Sequence, residues 1–332
     1  MPIITGYENV KRVYEQAAKK GWVLPCFCSE NLTTTEAILT AASEFARDNN
    51  YETVPVSLAL TVLYDHRPQA VNFTHTKRWD IGLKLFLEEA KVLTAPGGPF
   101  DNVDVLIHLD HVQFDDDAEL LEWDLSQFSS IMYDASKLPL DENISKTAEF
   151  VKRQKGVLMI EGACDEIIDA TGTEHNDITS ADTCERYMLE TGVDMVVANL
   201  GTEHRASGKD LKYHGDAARA ICERIGHRIV LHGTSSVTSD QLKSLYEDGI
   251  CKVNIWTALE RDSSPALLRF LTENADSAAG ETASILKAEG LLGPNAPEGP
   301  ASLKACCTAA RQELVFNVMK DICRSYFDLW YI

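Results

Sequence analysis

No stretch of this chain approaches the roughly 18 consecutive apolar residues that a membrane-crossing helix needs, although 45% of its 332 residues are hydrophobic. Basic residues are also scarce: 31 Lys and Arg face 51 Asp and Glu, for a formal net charge of −20. Phosphate backbones and anionic lipids are gripped by Lys and Arg, so this balance excludes a nucleic-acid groove or membrane surface as the main partner. A local basic pocket for a small anion stays open. There is no CxxC pair among the nine cysteines, whose odd number and scattered spacing exclude a thiolate zinc site and a disulfide framework. A reduced, cytoplasmic setting is the expectation. The first 20 residues read as a short amphipathic helix and lack the apolar core of a signal peptide. No repeat, low-complexity tract or linker breaks the chain, and no glycine-rich dinucleotide fingerprint follows any candidate strand.

What is present is an alternation. Eight short apolar runs recur: WVLPCF (22–27), TVPVSLAL (53–60), VDVLIHLD (103–110), SSIMYDA (129–135), VLMIEG (157–162), VDMVVANLG (193–201), RIVLHG (228–233) and CKVNIWT (251–257). Amphipathic stretches such as TTTEAILTAASEFARDN and ENISKTAEFVKRQ lie between them. Strands that alternate with helices make a parallel sheet, and continuous hydrophobicity suits strands buried on both faces. Eight such units over about 250 residues predict a (β/α)8 TIM barrel. The expected organisation is one barrel domain over 1–332. It has an N-terminal helix in 1–20, a core in 20–260 and a C-terminal helical extension in 275–332.

In such a barrel the carboxyl ends of the strands converge on one mouth, where chemistry takes place. The third run ends in His108, Asp110 and His111, the fourth in Asp134 and the fifth in Glu161. The sixth leads to His204, the seventh to His232, and the eighth to Asn254 and Thr257. Taken singly, a strand-end histidine is more often a hydrogen-bonded structural residue. Three on one rim make a metal centre the competing reading, with neutral imidazoles suited to zinc and one position left for substrate. His66, His75, His175, His214 and His227 fall in loops or beside helix ends and read as structural.

The motifs LIHLDH, FSSIMYDASKLPLDENISKTAEFV, LETGVDMVVANLGTEH, IVLHGTSS and CKVNIWT, in this order and spacing, resemble the class II, metal-dependent fructose-bisphosphate aldolases over roughly 20–260. LPCFCSENLTTTEAILTAA is similar to that family's opening strand and helix. The resemblance implies a TIM barrel, dimeric or larger, that uses a divalent ion to stabilise the enediolate of a ketose phosphate. It implies zinc ligands at His111, His204 and His232, a proton-transfer carboxylate at Asp110 and an enediolate-steadying amide at Asn254. Asn31, Gly233, Ser235 and Thr257 match substrate- and phosphate-holding positions, and Asp134 matches an aspartate near the metal. His108 buttresses the site.

Departures from the family pattern fall around the substrate. Arg205 stands where a glycine follows the second zinc histidine and brings a fixed charge. Thr234 and Ser236 replace glycines of the phosphate loop, and Trp256 replaces an aspartate. After the fifth strand, Ala163 replaces a glutamate, which leaves Glu166, Asp165, Glu174 or His175 as candidates for the acid that protonates the leaving group. These changes spare the metal chemistry and alter the pocket, which predicts an aldolase for a ketose phosphate or sugar-acid derivative other than fructose 1,6-bisphosphate. Two alternatives share the scaffold: a metal-dependent sugar epimerase, and a catalytically silent aldolase-like subunit.

Overall fold

The structure, a computed structural model, describes residues 3–165, 178–203 and 213–331. Eight parallel strands close into a barrel in chain order, β8 pairing back onto β1. They are β1 (Leu24–Cys28), β2 (Val54–Thr61), β3 (Val103–Gln113), β4 (Ser130–Asp134), β5 (Met159–Ala163), β6 (Met195–Val197), β7 (Ile229–Leu231) and β8 (Ile250–Ile255). Each predicted run carries one strand. Burial is nearly unbroken along them because one face fills the barrel and the other lies under helices. β6 and β7 stop after three residues and give way to loops of the barrel mouth.

The surrounding helices are α1 (Tyr7–Lys19), α2 (Leu32–Asp48), α3 (Gln69–Asn72), α4 (Trp79–Leu93), α5 (Leu140–Gln154), α6 (Ala181–Thr191), α7 (Gly215–Ile225), α8 (Ser239–Lys243) and α9 (Thr257–Glu273). Past the barrel come α10 (Ala275–Ala279), α11 (Thr282–Ala288), α12 (Leu303–Cys306) and α13 (Thr308–Trp330). Local chemistry sets several starts. Ser180 accepts from the Thr183 amide ahead of α6, and Thr238 with Gln241 forms a reciprocal capping box ahead of α8.

Helix α1 closes the amino-terminal end of the barrel. Ile4 bonds to Val105 at the start of β3, Tyr7 donates to Asp194 just before β6, and Tyr246 before β8 donates to Ala18. At the other terminus, Met319, Cys323, Tyr326, Phe327 and Trp330 fall on one helical face of α13, and that face is buried against α2 and α9. Tyr331 stacks on Trp22 with ring centroids 4.2 Å apart and donates to the Pro55 carbonyl at 2.7 Å. Helix α13 and Tyr331 are therefore wedged into the helical layer. Among the described residues, no helix is long and apolar enough to cross a membrane.

Candidate metal centre and substrate pocket

Successive residues of a regular strand point to opposite faces, so Asp110 and His111 should not share a site. In β3 they do. The register with β4 shifts between Leu109 and Val112, and His111 sits at φ 48°, in the left-handed region that a non-glycine residue rarely enters. The bulge turns His111 to the same side as His108 and Asp110. Backbone strain of this kind persists where the surroundings enforce it, and it clusters at functional sites. Tyr64, from the loop after β2, stacks on the His111 ring at 4.4 Å and 7°.

His111 meets His232 from the end of β7: Nε2 and Nδ1 lie 3.2 Å apart. The opposite nitrogen of each ring faces a carboxylate, His111 Nδ1 at 3.0 Å from Asp134 Oδ2 and His232 Nε2 at 3.4 Å from Glu161 Oε1. An ionised carboxylate only accepts, so each imidazole carries its proton on that outer nitrogen. Two lone pairs then converge at 3.2 Å, and either an extra proton or a shared cation must lie between them. Tetrahedral zinc, with Zn–N of about 2.0–2.1 Å, sets its ligand nitrogens about 3.3 Å apart. The donor set fits such an ion. Ligand atoms of Asp110, His111 and His232 all lie within 4.8 Å of one another.

The supporting carboxylates are ionised. Burial opposes the charge on Asp134, yet hydrogen bonds from His111 and Ser136 bring it down to about 2. Burial likewise opposes Glu161, but the Lys252 ammonium, His108 and His232 hold it at about 2. Lys252 Nζ lies 2.7 Å from Glu161 Oε2 and 3.1 Å from His108 Nε2, and His108 Nδ1 faces Ser130 Oγ at 2.9 Å. Burial pushes both His232 and His108 down.

Asp110 is the one carboxylate among the described residues that line the adjoining cavity. Burial opposes its charge, but the imidazoles of His111, His108 and His232 and the Arg67 guanidinium hold it well below the ordinary range. Asn254 Nδ2 donates to Oδ1 at 2.9 Å, and Arg67 Nη2 donates to Oδ2 at 2.7 Å. The open space, about 510 Å³ including its mouth, is also bounded by His232, Gly233, Ser235, Trp256 and Thr257. Gly233 has φ 68°, and a Cβ there would come within 2.7 Å of the Glu203 carbonyl oxygen, so only glycine fits. Thr234, in place of a loop glycine, turns its hydroxyl to the Asn254 carbonyl at 3.1 Å. Four buried side-chain polar atoms have no partner among the described residues, and three belong to residues lining this cavity: Arg67 Nε, Ser235 Oγ and Asn254 Oδ1. Orphaned polar groups each cost about 1–3 kcal/mol, so their concentration here marks a site built for something else to bind.

The structure thus brings together Asp110, His111, His232, Gly233, Ser235, Asn254, Trp256 and Thr257, with Asp134 and Glu161 behind the imidazoles. His108 faces Lys252 and Ser130 beside the site. Asn31 behaves differently: its side chain accepts from the Thr33 and Thr34 amides as the cap of α2, and it lies outside the residues lining the cavity. His204, Arg205, Glu166, Glu174 and His175 lie outside the described residues. Sequence reasoning missed Arg67, Tyr64 and Lys252. Lys252 did leave a signal, a lone lysine in an apolar strand two residues before Asn254. Arg67 and Tyr64 sit in a loop whose path no local pattern reveals.

Residues 8–321 match the family described as class II fructose-bisphosphate aldolase. A fructose-bisphosphate aldolase of Streptococcus pyogenes serotype M3 is 30% identical over 273 residues, covering 79% of this chain and 83% of that protein. The D-tagatose-1,6-bisphosphate aldolase subunit GatY of Klebsiella oxytoca is 25% identical over 273 residues, covering 80% and 87%. Among solved structures, the fructose-bisphosphate aldolase of Campylobacter jejuni superposes with a TM-score of 0.77 at 15% identity, covering 99% of this chain and 95% of that one. The YdjI aldolase of Escherichia coli K12 gives 0.66 at 17%, covering 99% and 97%. At these identities the two structures speak to the fold alone.

Proposed function

The chain belongs to the class II fructose-bisphosphate aldolase family, and from that premise we propose a zinc-dependent aldolase acting on a ketose phosphate or sugar-acid derivative other than fructose 1,6-bisphosphate. His111 and His232 hold the ion, with His204 as third ligand. Glu203, which directly precedes His204, already packs its backbone against Gly233 beside His232. Zinc bound there supplies positive charge for the negative charge that grows on a substrate oxygen as the carbon–carbon bond breaks.

The chain's own groups do the rest. Asp110 takes the proton of the substrate hydroxyl whose loss begins cleavage, since no other carboxylate among the described residues lines the cavity. Asn254 fixes Asp110 through Nδ2 and offers Oδ1 to a substrate hydroxyl. Gly233, Ser235 and Thr257 form the cradle for the anionic ketose end, and Trp256 walls the pocket where the family resemblance expects a carboxylate. The convergence of two imidazole lone pairs beside a buried carboxylate carries this reading, and it favours a working enzyme over a silent subunit. The test is aldehyde release from a panel of phosphorylated ketoses and sugar acids, with and without chelator. Cleavage of a panel member should depend on metal, and Asp110→Asn should lose turnover while keeping zinc. Turnover of fructose 1,6-bisphosphate at an ordinary rate, about ten per second, overturns the altered-substrate reading.

A further inference from the structure

Arg67 enters the pocket from the loop after β2, with its side chain 15% exposed. Its Nη2 reaches Asp110 on the oxygen opposite the one Asn254 holds, while Nε is buried with no partner among the described residues. The guanidinium lies 5.1 Å over the Trp256 ring. That ring is itself fixed, because its indole N–H donates to Glu30 Oε1, which also accepts from Gln69 at 2.6 Å. Nε and one N–H of Nη2 form the edge of the guanidinium that matches two oxygens of a planar anion. Asp110 engages this fork at one end only.

We infer that Arg67 receives a carboxylate of the substrate on its Nε edge, at the end beyond the hydroxyl that Asp110 deprotonates. This assignment deepens the aldolase reading and rests on it. A carboxylate coplanar with the guanidinium would supply the acceptor that Nε lacks. Charge selects carboxylate over phosphate. Arg67 is the one Lys or Arg among the described residues that line the cavity, and Asp110 lies against it with Glu30 behind the indole. Asp110 already balances that one cation, so a monoanionic carboxylate adds less repulsion beside Asp110 and Glu30 than a phosphate dianion would.

The competing explanation is that Arg67 only steadies Asp110, and the experiment separates the two. Calorimetry on the zinc-loaded full chain compares a four-carbon sugar acid, erythronate, with its matching polyol, erythritol. Wild type should bind the acid about tenfold to a hundredfold more tightly, the worth of a charge-assisted pair. Arg67→Met should abolish that preference, and Arg67→Lys, which keeps charge but loses the fork, should keep only part of it. Equal binding by wild type, or a preference that survives in Arg67→Met, overturns the assignment. Should Arg67→Met fold poorly, Arg67→Lys carries the test, and an undiminished preference there counts against the fork. A second arm measures kcat/KM for a ketose bearing a terminal carboxylate against its terminal alcohol. Discriminating binding without cleavage of either ketose would sink the aldolase reading and leave the Arg67 site standing. Cleavage with no discrimination would do the reverse.

Discussion

Lys252→Met tests the support beneath the proposed metal centre. Lys252 and Glu161 are both 0% exposed and sit 2.7 Å apart in the barrel interior. At that distance the pair attracts by about 6 kcal/mol at an effective dielectric of about 20, most of it offsetting the cost of taking both charges out of water. Removing one partner alone strands the other, which costs about 3–5 kcal/mol. Burial, the largest influence on Glu161, would then push its carboxyl up until it protonates. A neutral carboxyl still accepts through its carbonyl oxygen but without the negative charge, so it holds the outer N–H of His232 less firmly and the ring is a weaker metal ligand. Zinc affinity should fall about 10–100-fold, as it does when a carboxylate behind a histidine ligand is lost. Urea unfolding gives the first quantity and competition with a calibrated chelator the second. Lys252→Met/Glu161→Gln should recover most of the stability and none of the affinity. A single-variant loss below about 1 kcal/mol, or unchanged zinc binding, would refute the reasoning.

Two other contacts give further expected outcomes. Asp134→Asn removes the charge that orients His111 through its 3.0 Å contact, and should weaken zinc binding about 10–100-fold, read by the same chelator competition. Tyr331→Ala removes a nearly buried ring stacked on Trp22, and should lower unfolding free energy by about 3–5 kcal/mol, measured in urea. A smaller loss would mean that the C-terminal helix contributes little to the barrel.

The barrel was legible because strands buried on both faces leave short, predominantly apolar runs, and all eight appear where the runs are. The rim residues were legible for the same reason. A strand that ends fixes where its last side chains go, so Asp110, His232 and Asn254 could be placed at the mouth from the runs themselves, whereas Glu161 lies deeper, paired with Lys252. Asn31 shows the limit: a polar residue just before a helix serves equally as a cap or as a ligand contact, and the structure shows its Oδ1 in the cap.

The order of the strands, the acidic surface and the residue types at the barrel mouth were determined by sequence alone, because burial and chain polarity act locally. Tertiary structure alone decided that His111 turns inward, since a bulge depends on register with a neighbouring strand and shows in neither composition nor period. It also decided that Arg67 reaches Asp110 across 43 positions of sequence, because a loop residue's destination is set by the walls it folds against.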